Sequence, residues 1–299
     1  MSPEINATSA SEQDAARVGD LLSNAIRDIG IPPCPAILER INAEMSKDEP
    51  DFNQLDRIIC SDVSLAAGLI AIANSPFFGL QNRVRSVNEA LHMLGLGVSS
   101  RAIAGIMLRK LFPLTPSLER FWHATATIAR LGGWLAKRFH DGIKVRPDDA
   151  YTFSLFRDCG IPILMRRFDQ YREVLKAANE ESALSFVAVE QAAFPTNHAA
   201  VGCLLAQSWW LPDEISLAIR HHHDQEMLEQ GSDSKLPAAT LGLIATAQLA
   251  EHLFQYHTGL SQGQEWNKLG TSCLHLLNLD EQDLAEIYEE SASVVTSEV

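Results

Sequence analysis

The sequence predicts an all-α fold, because apolar residues recur with a helical period along nearly the whole chain. Alternating segments rich in valine, isoleucine and threonine, which are typical of β-strands, are absent from the sequence. Apolar residues make up 46% of the 299 residues, which is enough to build a substantial core. We therefore expect a globular, multi-helix bundle.

The N-terminal region is predicted to contain one longer helix followed by several short ones. The apolar pattern of residues 12–29 stops at Gly30, which suits a helix end because it lacks a Cβ atom. The segment IPPCP at residues 31–35 prevents that helix from continuing. A later helix begins at Ser86, which forms a capping box with Glu89. Between these, short helices are expected at about residues 36–46, 52–60 and 62–73.

A loop with two adjacent phenylalanines, NSPFFGLQNRVR, separates two of these helices at residues 74–85. We expect Phe77 and Phe78 to anchor this loop on the core, because aromatic side chains bury large apolar surfaces. A role of the two rings in binding a ligand is the alternative interpretation, since loops often carry binding residues.

Two prolines in FPLTPS at residues 112–117 break the helical pattern, and we predict a domain boundary there. The predicted organisation is an N-terminal helix at residues 1–30, an N-terminal helical subdomain at 31–115 and a second helical subdomain at 116–299. In the second subdomain, helices are expected at about residues 118–139, 148–166, 167–179, 184–193, 197–209, 212–223, 237–256 and 280–295. Asp280 is expected to cap the last of these helices.

The chain is acidic, with 38 Asp and Glu residues against 24 Lys and Arg residues and a formal net charge of −14. A long nucleic-acid backbone would be repelled on average, so we expect no nucleic-acid partner, although a local pocket for a small phosphate ligand is compatible with this charge. The five cysteines lack any CxxC spacing, which favours a reduced, cytoplasmic protein. No apolar run approaches the roughly 20 residues that a membrane span requires, so we expect no membrane partner.

The run RHHHD at residues 220–224 places three of the ten histidines next to one another. Successive residues of a helix are rotated by about 100°, so three adjacent histidines cannot all face one point from a regular helix. His222 and His223 continue the apolar stripe of the preceding helix, whereas His221 falls on another side.

Three further polar side chains also fall on apolar helical stripes, namely His123, Asp158 and His198. Each of them alone is more typical of a hydrogen-bonded core residue than of a metal ligand. As a set, however, imidazole and carboxylate groups carried by several helices form the kind of site that binds zinc, iron or manganese. The sequence therefore offers a candidate metal site within a helical bundle.

Several segments resemble known families. Three segments resemble the HD superfamily of metal-dependent phosphohydrolases: FWHATATIA (121–129), SLFRDCGIPIL (154–164) and NHAAVGCLLAQSWWLPDEISLAIRHHHD (197–224). Three segments of the first part resemble one branch of that superfamily, the HDOD domain: IPPCP (31–35), ANSPFFGL (73–80) and SVNEALHMLGLG (86–97). The resemblance covers roughly residues 30–256 and implies an HD-like helical bundle with an N-terminal helical subdomain.

The superfamily pattern requires a histidine, an adjacent His-Asp pair and a later aspartate as the ligands of one metal. His123 resembles the first ligand, but Arg157 stands where the pair has its histidine, and Gln248 stands where the last aspartate is expected. The resemblance therefore implies a degenerate metal site, with Arg157 and Gln248 in its pocket. The residues that match positions for second or additional metals in related phosphodiesterases of the HD-GYP kind are His123, Asp158, His198, His222 and His223. No cofactor is firmly expected, although this residual set is compatible with Mn, Fe, Zn or Mg.

HDOD domains are generally regarded as non-catalytic output or scaffold domains of bacterial signal transduction. The resemblance thus implies a regulatory module that acts through a signalling protein partner or a small nucleotide-like ligand. The alternative is a metal-dependent phosphohydrolase or phosphodiesterase acting on a nucleotide or cyclic dinucleotide, in which a metal-activated water attacks phosphorus and Arg157 contacts phosphate. Ligand sensing without turnover lies between these two hypotheses.

Overall fold

The computed structural model describes residues 29–80, 82–113, 115–139 and 145–296. Every regular element within these ranges is a helix, which confirms the predicted all-α class. The helix predicted at residues 12–29 lies almost entirely outside the described residues.

Short helices form the first part of the chain. They are α1 (Ala36–Met45), α2 (Phe52–Cys60), α3 (Val63–Ala73), α4 (Val87–Leu94) and α5 (Leu96–Lys110). The predicted cap at Ser86 is confirmed, because its side chain accepts the backbone N–H of Glu89 at 3.1 Å. Helix α5 had no sequence prediction, and it follows α4 directly through Gly95, whose φ of +75° favours glycine.

No single helix of the described chain has both the length and the apolar composition to cross a membrane. Helices α4 and α5 satisfy those two criteria only when they are taken together, and the pair is bent by 120°.

Helices of more varied length follow. They are α6 (Pro116–Arg138), α7 (Pro147–Phe156), α8 (Gly160–Arg167), α9 (Tyr171–Glu180), α10 (Phe186–Ala193), α11 (His198–Ser208), α12 (Asp213–His221), α13 (Gln225–Gln230), α14 (Ala238–Thr258), α15 (Glu265–Leu277) and α16 (Glu281–Thr296). Asp280 caps α16 as predicted, since its carboxylate accepts the N–H groups of Gln282 and Asp283. Helix α15 was not predicted from the sequence.

The single helix predicted at residues 148–166 is wrong, because the chain forms two helices with a turn at residues 157–159. Pro162 supplies the physical reason. In a continuous helix, residue 162 would donate its N–H to the carbonyl of Asp158, but proline has no N–H and its ring would clash with that carbonyl. The break places Arg157 and Asp158 in a turn, where their side chains are no longer restricted to one helical face.

One hydrophobic core extends from Ile31 to Ile287 and includes residues from both parts of the chain. Helix α6 lies at its centre and packs against α7, α14 and α16. Helix α11 packs against α8 and α12, and α12 in turn contacts α14. The division at residues 115–116 into two domains stays a prediction. The contacts among α7, α8, α11, α12 and α14 bring together the turns and helix ends that carry the candidate site.

The loop at residues 74–85 is held in place by its aromatic rings and by Asn74. The Phe77 ring stacks on Tyr151 with a centroid separation of 4.9 Å and contacts the edge of Phe78 at 4.7 Å. The Asn74 side chain accepts the N–H of Val84 and donates to its carbonyl, both at 2.8 Å. Phe78 packs against the core, as expected, but both rings are only half-buried.

Candidate metal centre

Four side chains from different parts of the bundle converge on one point. Asp158 comes from the turn between α7 and α8, His198 is the first residue of α11, and His222 and His223 directly follow α12. The Nε2 atom of His198 lies 3.1 Å from the Nε2 atoms of both His222 and His223. Asp158 Oδ1 lies 3.6 Å from Nε2 of His198 and 3.4 Å from Nε2 of His222. One ligand atom from each residue lies within 4.8 Å of the other three, so this group could hold a metal ion.

Two adjacent histidines reach the same point because the helix ends before them. The predicted helix at residues 212–223 stops at His221, and His222 is its C-cap residue with φ −69° and ψ −11°. His223 therefore lies outside the helix and is not rotated by a full helical step from His222. The structure places His221 away from the group, half-exposed, with its Nδ1 atom 3.3 Å from Asp224 Oδ2.

The other ring nitrogen of each histidine faces an oxygen acceptor. The Nδ1 atom of His198 lies 2.7 Å from Glu190 Oε2, and that of His222 lies 2.8 Å from the carbonyl oxygen of Ile219. The Nδ1 atom of His223 contacts a carboxylate oxygen of Glu265. Since a carbonyl or carboxylate accepts, each Nδ1 atom carries the proton and donates it. In the neutral rings, all three Nε2 atoms then present lone pairs to one another, which is the arrangement that a cation would stabilise.

Buried acidic groups hold two of these histidines. Glu190 is fully buried, and it accepts hydrogen bonds from the Tyr171 hydroxyl and from both the ring and the backbone N–H of His198. Burial raises the pKa of Glu190, but the charge of His198 outweighs it and the net pKa is lowered. For His198, burial lowers the pKa, yet Glu190 raises it above the ordinary value. Burial lowers the pKa of His222 to about 3, so this ring is neutral near pH 7.

Arg157 is a buried cation beside the histidine group. Its guanidinium is 2.8 Å from Asp158 Oδ2 and 3.1 Å from Glu251 Oε1, and the whole residue is only 3% exposed. Burial alone would lower the pKa of Arg157, but the two carboxylates raise it. Burial raises the pKa of Asp158, whereas Arg157 and the neighbouring histidines hold the net pKa well below its usual range. Glu251 has a raised pKa, because its burial outweighs the attraction of Arg157.

Two residues predicted for the site lie elsewhere. The expectation that His123 faces inward is wrong, because its side chain is exposed, and the positions of α6 that line the pocket are Phe121, Ala124, Thr125 and Ile128. Gln248 is buried, as expected for an inward position, but it does not line the pocket. Its side-chain amide instead donates to the backbone carbonyl of His222 at 3.2 Å and so fixes the end of α12.

Glu251 is a site residue on α14 that was not predicted from the sequence. It lies three residues after Gln248 and therefore on nearly the same helical face. The available signal was a carboxylate within the apolar segment ATAQLAEHL, since such a group requires a partner when it is buried. Its partner is Arg157, which lies far away in the sequence.

A pocket of about 200 Å³ opens beside the group. Asp158 and His223 form part of its wall, together with Arg157, Glu251 and Glu265. A single guanidinium therefore faces three carboxylate-bearing side chains in this pocket. Phe186 covers the His223 ring, stacked at a centroid separation of 4.8 Å.

Gly160 allows the turn at Asp158 to approach α11. A Cβ atom at residue 160 would lie 2.1 Å from the carbonyl oxygen of His198 and 2.8 Å from its carbonyl carbon. Backbone atoms cannot move aside as a flexible side chain does, so Gly160→Ala should separate Asp158 from His198 and lower the free energy of unfolding by at least about 1–3 kcal/mol. Urea unfolding would measure this. Gly97→Ala is the control, since a Cβ there meets only the end of Arg101. Equal unfolding midpoints for the two variants would show that α8 and α11 do not require this close approach.

These features define a class of protein: a helical bundle with three inward imidazoles and one carboxylate at a candidate metal centre. The HDOD domain family model matches residues 31–225, which is more than half of the chain, and the chain belongs to this family. A protein of Treponema pallidum (strain Nichols), described as uncharacterized, is 23% identical over 195 residues. The match covers 65% of this chain and 38% of that relative, so the chain corresponds to well under half of the relative's length.

Solved structures show the same fold. A "putative phosphohydrolase" from Shewanella amazonensis SB2B superposes with a TM-score of 0.64 and 17% identity, covering 90% of this chain and 93% of that one. A "putative signal transduction protein" from Marinobacter aquaeolei VT8 superposes with a TM-score of 0.63 and 21% identity, and the match covers 90% of this chain and 60% of that one. An HDOD domain protein from Geobacter sulfurreducens superposes with a TM-score of 0.54 and 22% identity, and the match covers 88% of this chain and 93% of that one. At these identities, the likeness establishes the fold and not the activity.

Proposed function

We propose that this chain is a non-catalytic HDOD regulatory module that binds one transition-metal ion as a structural element and acts through a protein partner. The observation that carries this proposal is the state of Arg157. Its guanidinium is buried and already ion-paired with both Asp158 and Glu251 beside the four candidate ligands. The HDOD family membership supports a regulatory role, and a structural neighbour is named as a signal transduction protein.

The donor set fits a single ion. Tetrahedral ligands at 2.0–2.1 Å from zinc are separated from one another by about 3.3 Å. Four of the six separations among the ligand atoms of His198, His222, His223 and Asp158 are 3.1–3.6 Å, close to that value, and the whole group lies within 4.8 Å. Imidazole and carboxylate donors suit zinc, iron or manganese better than magnesium, which prefers oxygen ligands and retains water. Four protein ligands would complete a tetrahedral site, as is typical of structural rather than catalytic zinc.

The charges around the pocket disfavour hydrolysis of a phosphate ester. A phosphorylated substrate would meet Asp158, Glu251 and Glu265, of which Glu265 is also paired with Lys268, while the guanidinium of Arg157 is occupied by the other two carboxylates. Arg157 would have to leave both ion pairs before it could bind a phosphate group in a bidentate manner. A fixed cation at this position also repels a second divalent ion, which limits the centre to one metal.

A metal-dependent phosphohydrolase is the second candidate function. The specific observation in its favour is that the 200 Å³ pocket reaches two of the candidate ligands, Asp158 and His223. An ion with more than four coordination positions would then face the pocket, where a bound water could be activated. Two structural neighbours with this fold are named as phosphohydrolases.

Metal analysis and a hydrolysis screen on the same purified protein separate the two functions. We expect about one transition-metal ion per chain and no metal-dependent turnover of nucleotides or cyclic dinucleotides above that of Asp158→Ala. His221→Gln is the control variant, because His221 is adjacent to the group but outside it. Turnover that is retained in His221→Gln and lost in Asp158→Ala would establish the hydrolase and reject the non-catalytic module. Protein that takes up no ion from zinc, iron or manganese solutions would reject the metal centre.

A further inference from the structure

A second cavity lies away from the metal centre, where the loop at residues 74–85 meets α6 and α16. Its volume is about 150 Å³, and its walls consist of Pro76, Phe77, Arg130, Trp134, Lys137, Ser293 and Val294. None of these residues lines the pocket beside Asp158 and His223. A ligand in this cavity would therefore contact the loop, α6 and α16 at once.

Two cations of α6 line this cavity, and neither has a counter-ion among the residues that the structure describes. Within the described residues, the Arg130 guanidinium makes one hydrogen bond, at 3.3 Å to the Thr127 hydroxyl, and its buried Nε atom has no hydrogen-bond partner. Lys137 lies seven residues later on the same helical face, and neither cation is ion-paired with a residue of the described chain. Two carboxylates of α16, Glu286 and Glu290, pair with Arg138 instead, and Glu290 accepts two hydrogen bonds from it.

Burying part of an uncompensated guanidinium is unfavourable, and burial alone lowers the pKa of Arg130. The ordinary solution in proteins is a carboxylate partner, but the described chain supplies none here. An anion bound in the cavity would pair with the Arg130 guanidinium and the Lys137 ammonium, since both side chains line it.

The remaining walls are apolar and aromatic. Trp134 lies one helical turn from each cation, between Arg130 and Lys137, and Val294 lies on α16. The Phe77 ring is fixed on the other side, because one face stacks on Tyr151 and its edge fits against Gly133, where any Cβ atom would overlap the ring. A cavity of 150 Å³ with a cationic end and flat apolar walls fits a molecule of about ten non-hydrogen atoms.

We propose that this cavity binds a small organic anion, with its charged group on Arg130 and Lys137 and a flat apolar body between Phe77 and Trp134. The ligand would be a carboxylate or a phosphate monoester that carries one aromatic or similarly flat ring. Phe77, in the loop at residues 74–85, would contact the ligand in addition to anchoring the loop. It is independent of the metal centre and of the proposed function.

Calorimetric titration with four small probes tests the proposal. Benzoate and phenyl phosphate carry a ring and a charge, benzamide carries the ring without the charge, and inorganic phosphate carries the charge without the ring. We expect benzoate or phenyl phosphate to bind with a Kd of about 1 mM or tighter, and at least tenfold more tightly than benzamide and inorganic phosphate. Equal binding of the neutral probe, or no saturable binding below about 10 mM, would overturn the proposal.

Variants connect the binding to this cavity. Lys137→Gln and Arg130→Met should each weaken binding of the better probe at least tenfold, whereas Arg120→Gln, on the same helix but outside the cavity, should leave it unchanged. Arg130→Met should also unfold at the parental temperature or above in the absence of probe, because it removes a cation that lacks a partner. Strong destabilisation of Arg130→Met would show that the guanidinium is already satisfied within the protein. Unchanged probe binding in Lys137→Gln would place the binding elsewhere.

Discussion

Replacing Arg157 with methionine should lower the free energy of unfolding by about 3–5 kcal/mol, because it leaves two mostly buried carboxylates without their partner. The guanidinium contacts Asp158 and Glu251, whose side chains are 21% and 20% exposed. Methionine has a similar length and no charge, so the main loss is electrostatic. Asp158 keeps its contacts with His198 and His222, which makes Glu251 the more affected carboxylate.

Urea unfolding at neutral pH in the presence of a chelator would measure this effect without a contribution from metal. Adding Glu251→Gln to the Arg157→Met variant should recover a large part of the loss, since the second change removes the unpaired carboxylate. Arg146→Met is the control, because that arginine is also ion-paired but its side chain is 73% exposed, and exposed pairs contribute about 0–1 kcal/mol. A loss below about 1 kcal/mol in Arg157→Met would contradict the ion-pair interpretation.

Metal loading should raise the free energy of unfolding by about 4 kcal/mol when the free ion is present at roughly 1,000 times its Kd. The reason is that the four candidate ligands come from distant parts of the sequence and meet only in the folded chain. His198 lies at the start of α11, whereas His222 and His223 follow α12, and Asp158 lies before α8. An ion that binds this set binds the folded state selectively, so its binding energy becomes folding energy.

The measurement compares each protein with and without chelator, so that any intrinsic loss of stability in a variant cancels. His198→Gln should lose nearly all of the metal-dependent difference, whereas His221→Gln should retain it. Glu190 offers a further comparison, since it orients the His198 ring through Nδ1, and the loss of such a partner typically weakens metal affinity by 10–100-fold. Identical unfolding of the parent protein with metal and with chelator would refute the metal centre.

Helical periodicity predicted that Asp158, His198, His222 and His223 face inward, although only His198 lies within a helix of the structure, while Asp158 lies in a turn and His222 and His223 follow the end of α12. The same reasoning failed for His123. The central part of α6, HATATIARLGGWLA, is rich in small residues on all sides, so its sequence does not define which face is buried. The packing of α6 against both α7 and α14 determines which of its faces is buried, and a single sequence does not show which helices pack together.

The ion pairs of the site could not be predicted for a related reason. Arg157 and Glu251 are separated by most of the second half of the chain, and helical spacing carries no information about partners on other helices. The acceptors of the histidine rings, Glu190 and Glu265, were equally inaccessible. By contrast, the turn at residues 157–159 could have been anticipated, because Pro162 prohibits a continuous helix through Asp158.

The helix end at His221 has a consequence for how this centre could be lost or gained during evolution. Asp224 precedes the next helix, where its side chain accepts the N–H of Met227, and a helix N-cap at this position favours the end of α12 just before it. A substitution that favoured helix at this point would extend α12 and turn His223 away from His222 by about 100°. All four candidate ligands would still be present in such a sequence, yet the site would be dismantled. The capacity to bind an ion is thus under the control of a residue that contacts none of the ligand atoms.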